Sequence, residues 1–111
     1  MARQGYLGEF ELIVLLALIR LGDDAYGVPI AQEIERCCGR EVALGSAYAA
    51  LDRLEEKGLV ASRLGEPTAE RGGRAKRYFT ATEDGFRAAR ESRRAFVSLW
   101  QGVPELEGGL S

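Results

Sequence analysis

The sequence of 111 residues contains no histidine. Without an imidazole there is no Ser-His or Cys-His nucleophile and the commonest general base is missing. The same absence leaves the two cysteines, Cys37 and Cys38, without nitrogen partners for a zinc site. Because they are adjacent they cannot staple distant parts of the chain, and they read as a partly buried thiol pair at a helix end. No phosphate-cradling GxxxxGK[ST] stretch occurs. Asp23 and Asp24, the best carboxylate pair, follow an apolar run directly and read as a turn and helix N-cap, not as an acid and a base. An enzyme is therefore not expected, nor is a cofactor or a bound metal.

Long hydrophobic runs are also missing. The longest, Leu12–Ile19, is too short to span a bilayer and is flanked by Glu11 and Arg20. No cationic leader with a cleavage site precedes it, so a cytoplasmic address and no membrane partner are expected. Cations are not in excess either: 15 Lys and Arg stand against 17 Asp and Glu, a net charge of −2. That total argues against a nucleic-acid partner unless the cations are gathered in one place. With 46% apolar residues, the chain makes one small domain whose core is marginal alone, which favours oligomerisation.

What is present is a run of helix signals. "EFELIVLLALIRL", closing at Leu21, is apolar almost all round, as in a helix buried on more than one side and shared with a second subunit. A second helix is expected from Tyr26 or Gly27 to Cys38, with Pro29 in its first turn and Ile30, Ala31, Ile34 and Cys37 or Cys38 inward. Gly39 closes it. A third helix, Leu44–Lys57, carries Leu44, Ala47, Leu51 and Leu54 at helical spacing and ends at Gly58. "LVASRL" and "AKRYFTA" then read as two strands of a hairpin around "GEPTAERGG". Thr82 caps a last helix, with Glu83 and Asp84 in its first turn, running to Gln101 or Gly102. "PELEGGLS" is expected to be disordered.

Three helices followed by a hairpin give a mostly helical α+β fold, a winged helix-turn-helix with a two-stranded wing over residues 1–81. Residues 82–103 add a C-terminal dimerisation helix to the same unit, and residues 104–111 form the tail. In "GSAYAALDRLEEKGLV" the outward face of the third helix is Gly45, Ser46, Ala49, Asp52, Arg53 and Glu56, with Tyr48 on one flank and Ala50 on the other. Small residues there let backbone N–H groups approach phosphates or base edges, Ser46 and Tyr48 can hydrogen-bond, and Arg53 can reach a phosphate or a guanine. Asp52 and Glu56 would repel a duplex, so only the N-terminal half should enter a groove. Arg71, Arg74, Lys76 and Arg77 crowd the hairpin, where they suit backbone phosphate or a minor groove.

Phe86, Ala89, Phe96, Trp100 and Val103 form one stripe of the last helix and Ala88, Ala95 and Leu99 the next, interrupted by Arg93. With the first helix this face suits a twofold dimer, which a palindromic operator requires. Phe96, Leu99 and Trp100 have two open roles: dimer core, the favoured one, or an aromatic wall for a flat effector between subunits. The rival function is a winged-helix protein–protein interaction module without DNA binding. It calls for an apolar patch on the third helix, which is lacking. A thiol or metal sensor at Cys37 and Cys38 ranks lowest.

"YGVPIAQEIE", "LGSAYAALDRLEEKGLV" and "GGRAKRYFTATEDG" together resemble the PadR-like transcriptional regulators, in particular the short subgroup with a single C-terminal helix. The resemblance covers about residues 7–101. It implies a cytosolic homodimer, usually a repressor bound to double-stranded DNA, often released by small aromatic compounds. It also implies DNA contact by Gly45, Ser46 and Tyr48 and by the wing cations Arg74, Lys76 and Arg77. Ala43 stands where the family commonly has a capping Ser, a loss of about 1 kcal/mol that Ser46 is expected to offset by shifting the cap inward. Ala75 replaces a usual wing proline, which should loosen the hairpin tip.

Overall fold

The computed structural model describes residues 7–66 and 76–107. Its elements run α1 (Glu9–Leu21), a 3₁₀ turn (Gly22–Asp24), α2 (Gly27–Cys38), α3 (Leu44–Glu56), β1 (Val60–Leu64), β2 (Arg77–Ala81), α4 (Glu83–Trp100) and α5 (Pro104–Glu107). Helices α1 to α3 enclose a core whose largest fully buried side chains include Leu15, Leu18, Ile30, Ile34, Leu51, Leu54 and Phe79. This is the winged-helix arrangement expected from the element order. Among the described residues no helix is long and apolar enough to cross a membrane.

The joints follow from local chemistry. Gly22, at φ +69°, ends α1, and the 3₁₀ turn that follows contains Asp23 and Asp24. They make the turn but not the cap, which corrects the sequence reading: the N-cap of α2 is Tyr26, with no side-chain cap bond. The chain between α1 and α2 lies beside β2, where the Phe79 N–H donates to the Ala25 carbonyl at 2.8 Å. Pro29 sits in the first turn of α2, where its missing N–H costs nothing.

Two burial expectations change. Ile34 is the last buried residue of α2. The final turn extends past the core, so Cys37 and Cys38 are both exposed and not partly buried. In α3 the buried stripe is Ala47, Ala50, Leu51 and Leu54. Leu44, at the tip of the helix, is 42% exposed, and Ala50 is buried inside the packing and not on a flank of the outward face. Ala43 remains the N-cap with no side-chain bond, so Ser46 does not move the cap inward.

Strands β1 and β2 pair antiparallel from Val60↔Ala81 to Leu64↔Arg77. The hairpin tip, including Arg71, Arg74 and Ala75, lies outside the described residues. Thr82 joins wing to α4 as expected: its Oγ1 accepts the Gly85 N–H at 3.0 Å and donates to the Gly58 carbonyl at 2.8 Å. One hydroxyl thus ties the start of α4 to the end of α3. Gly85 is required here because a Cβ would collide with the Leu59 carbonyl.

Helix α4 stops at Trp100, with Gln101 as C-cap, one or two residues short of the expected end at Gln101 or Gly102. Gly85 is its buried residue, Ala88 and Ala89 touch the edge of the core, and the remainder projects beyond it. Residues 104–107 are not disordered: Pro104–Glu107 form the helical turn α5. Two bonds fold it back, from Trp100 Nε1 to the Leu106 carbonyl at 3.1 Å and from the Gly102 N–H to Glu107 Oε2 at 3.0 Å. Residues 108–111 lie outside the described part.

Candidate nucleic-acid interface

Helix α3 has two unlike halves. Its N-terminal half presents Gly45, Ser46 and Ala49, all exposed, and nothing lies within 4 Å of the place a Gly45 side chain would take. The uncapped first turn leaves backbone N–H groups pointing outward, a favourable setting for phosphate. Tyr48 is half-buried at the edge of this surface. Its ring packs at a tilt on Phe79, centroids 6.4 Å apart, and rests over Gly27, where a Cβ would lie 2.5 Å from the ring. The glycine opening α2 therefore sets how closely α2 and α3 approach.

In the C-terminal half most of the charges are paired, although Glu56 is exposed and forms no ion pair among the described residues. Glu11 of α1 is only 7% exposed and receives Arg53 Nε at 2.7 Å and Lys57 Nζ at 2.6 Å. Burial works against its ionisation, but the bonds from Lys57 and Arg53 prevail and hold its pKa below the ordinary carboxylate value. Arg53 is thus drawn toward α1, although its side chain is still 51% exposed. Arg77 of β2 spans to α3, with Nη2 2.6 Å from Glu55 Oε1 and Nη1 3.2 Å from Asp52 Oδ1. Its guanidinium also lies over the Phe79 ring at 4.8 Å. Ser62 Oγ donates to the other Glu55 oxygen at 2.9 Å.

The wing therefore has two faces with different tasks. Its inner face, Arg77 with Phe79 and Ser62, locks to α3. Its outer face carries Arg63, Lys76 and Tyr78. The Arg63 guanidinium lies 4.8 Å over Tyr78, and Lys76 Nζ lies 4.7 Å over Tyr26. The two tyrosines meet edge to face at 5.4 Å.

The sequence-predicted residues are partly brought together. Gly45, Ser46, Tyr48 and Ala49 share one surface beside the wing that carries Lys76 and Arg77, while Arg71 and Arg74 fall outside the described residues. Phe96, Leu99 and Trp100 sit at the far end of α4, with Phe96 55% and Leu99 77% exposed. There Phe96, Val97, Trp100, Gln101 and Glu107 line a groove of about 420 Å³. Glu11, Tyr26 and Arg63 are the residues that sequence reasoning missed.

Comparison with known proteins agrees with this architecture. A PadR-like transcription factor from Bacteroides fragilis superposes with a TM-score of 0.73 at 24% identity, covering 86% of this chain and 87% of that one. A transcriptional regulator from Clostridium thermocellum gives 0.70 at 23% identity, covering 86% of each chain. A complex structure of hsRosR-S1 gives 0.65 at 27% identity, covering 92% of this chain and 83% of that one. No curated protein shows significant similarity. Residues 15–91 match the profile described as the transcriptional regulator PadR-like family, so the chain belongs to the PadR-like family of transcriptional regulators.

Proposed function

We propose that the protein is a cytoplasmic, homodimeric repressor that binds a palindromic DNA site through the N-terminal half of α3. The observation that carries this reading is the division of α3. Gly45, Ser46 and Ala49 leave one end slim and exposed, while Asp52 and Glu55 at the other end are held by Arg77. A duplex approaching the first end meets backbone N–H groups and Tyr48 and is spared two bare carboxylates. Lys76 on the wing then adds phosphate contact, and affinity falls steeply with salt. A protein-docking role would need an apolar patch on α3, whereas its one exposed large apolar side chain is Leu44.

The dimer reading rests on α4. Phe96, Val97, Leu99 and Trp100, in the second half of this helix, are between 36% and 77% exposed, and Leu16 of α1 is exposed as well. A second copy covers such a face with a closed twofold contact and sets two α3 helices one duplex turn apart. The groove beside Trp100 supports a second role for that residue. Its indole N–H is engaged by the Leu106 carbonyl, leaving the ring face for either the partner subunit or a planar aromatic effector.

Selection of bound sequences from random DNA tests the main reading. A recovered motif with twofold symmetry, bound by a dimer in sedimentation and weakened by salt, is the expected result. Recovery of no motif together with salt-independent binding overturns it.

A further inference from the structure

We infer that the outer face of the wing root is a phosphodiester-binding site built on two packed tyrosines, with Arg63 and Tyr26 as members alongside Lys76. This rests on the DNA-binding reading above and adds residues that reading does not contain.

The site is assembled by backbone register. Arg63 is paired across the hairpin with Tyr78, and opposite residues of an antiparallel pair point to the same side. Lys76, two residues before Tyr78, follows the same alternation, and its carbonyl accepts the Gly65 N–H at 2.7 Å. Tyr26 reaches this side because the residue before it, Ala25, is bonded to β2 through the Phe79 N–H. The result is an ordered row: Lys76 over Tyr26, Tyr26 against Tyr78, Tyr78 under Arg63.

Charge balance gives the row its purpose. Arg20, Arg36, Arg53, Arg77 and Arg87 each meet a carboxylate. Among the described residues, Arg63 and Lys76 form no ion pair, like Arg90, Arg93 and Arg94 of α4, but of these five only Arg63 and Lys76 are held on aromatic faces. A ring face orients a cation and strips part of its water without neutralising it, so the donor fork of Arg63 stays available to an anion with paired oxygens. Position supplies the anion. Tyr26 immediately precedes Gly27, on which Tyr48 of α3 rests, so the row borders the surface proposed to enter the major groove. The sugar–phosphate chain flanks that groove, and cations beside it read no sequence. Tyr26 and Tyr78 are positioning residues; Arg63 and Lys76 make the contact.

The test is fluorescence anisotropy of a labelled mixed-sequence duplex over a salt series. Arg63→Ala is expected to weaken binding several-fold on every duplex and to flatten the log–log salt slope by about 1.8 per bound dimer, one phosphate contact from each subunit. Tyr26→Leu is expected to weaken binding several-fold, with Tyr26→Phe at the wild-type level because the ring is kept. Arg87→Ala, whose cation is paired with Asp84 on α4, should bind like wild type. An unchanged slope in Arg63→Ala, or Tyr26→Leu equal to wild type, or Tyr26→Phe as weak as Tyr26→Leu, overturns the proposal. A wild-type chain that binds no duplex overturns the DNA-binding reading with it, whereas wild-type binding with Arg63→Ala unaltered overturns only the site. Arg63 is exposed, so its removal leaves folding intact and keeps the slope readable.

Discussion

Arg77 Nη2 lies 2.6 Å from Glu55 Oε1, joining β2 to α3. With the bond to Asp52, one guanidinium bridges two carboxylates and offsets half of their charge. On the proposed DNA-binding reading, Arg77 assists from inside the protein by holding these carboxylates. Arg77→Ala is expected to weaken duplex binding, and adding Asp52→Asn and Glu55→Gln to it should recover most of the loss. Stability changes modestly, by about 1 kcal/mol, since the pairs are partly exposed to solvent. Titrating the three proteins against one duplex, beside their thermal melts, checks both statements.

The same glycine substitution should have opposite consequences at two positions. At Gly85 a new Cβ meets the Leu59 backbone carbonyl, which cannot yield, so Gly85→Ala should cost about 3 kcal/mol or more. At Gly27 the Cβ meets the outer end of the Tyr48 ring, which can swing toward solvent. Gly27→Ala should then keep most of its stability and lose DNA site preference. Urea unfolding paired with binding to specific and mixed duplexes separates the two outcomes.

Much of this was legible in the sequence, and the boundary has a physical cause. Local rules placed the helices and the wing, because Gly22, Gly39 and Gly58 adopt the positive φ that ends a helix and Thr82 caps as a hydroxyl should. Expectations for single residues failed where burial depends on how far an element reaches past the core, as at Leu44, Cys37 and Cys38. The tail failed because Trp100 offers a donor to Leu106, a contact that composition does not reveal. At the interface, Arg53 and Arg77 are expected from the sequence as DNA contacts, and the carboxylates that hold them, 42 and 22 residues away along the chain, are not visible in it. Glu11, beside the apolar run of α1, was the visible sign of one such partner.

Acid should weaken the fold through carboxylates held by cations. Glu33 receives Arg36 and Arg20, and these bonds bring its pKa down to about 2. Glu11 is shifted in the same direction. A carboxyl with a folded-state pKa below its unfolded value stabilises fully above the unfolded value, near about 4.3, and loses that contribution as pH falls. Melting temperature should drop between about pH 4.3 and pH 2, and less so in Glu33→Gln. Glu11→Ala should cost about 1–3 kcal/mol near neutral pH, because Lys57 and Arg53 lose the anion between them.

If the exposed apolar end of α4 is the dimer contact, Leu99→Glu places a charge within it. Sedimentation should then show monomer, and binding to a palindromic duplex should fall while a melt still shows a folded chain. A panel of planar aromatic compounds titrated against Trp100 fluorescence then reports whether the groove stays open: quenching supports an effector site, and no response from any compound supports a filled interior.

The central claim is that the slim end of α3 enters the major groove, and Ala49→Glu examines it directly. Ala49 is exposed, so the fold tolerates the change, yet the added bulk and negative charge stand where the duplex must come closest. Anisotropy with a selected duplex should show a loss of more than about a hundredfold with an unaltered melting curve. Wild-type affinity in Ala49→Glu would contradict the account.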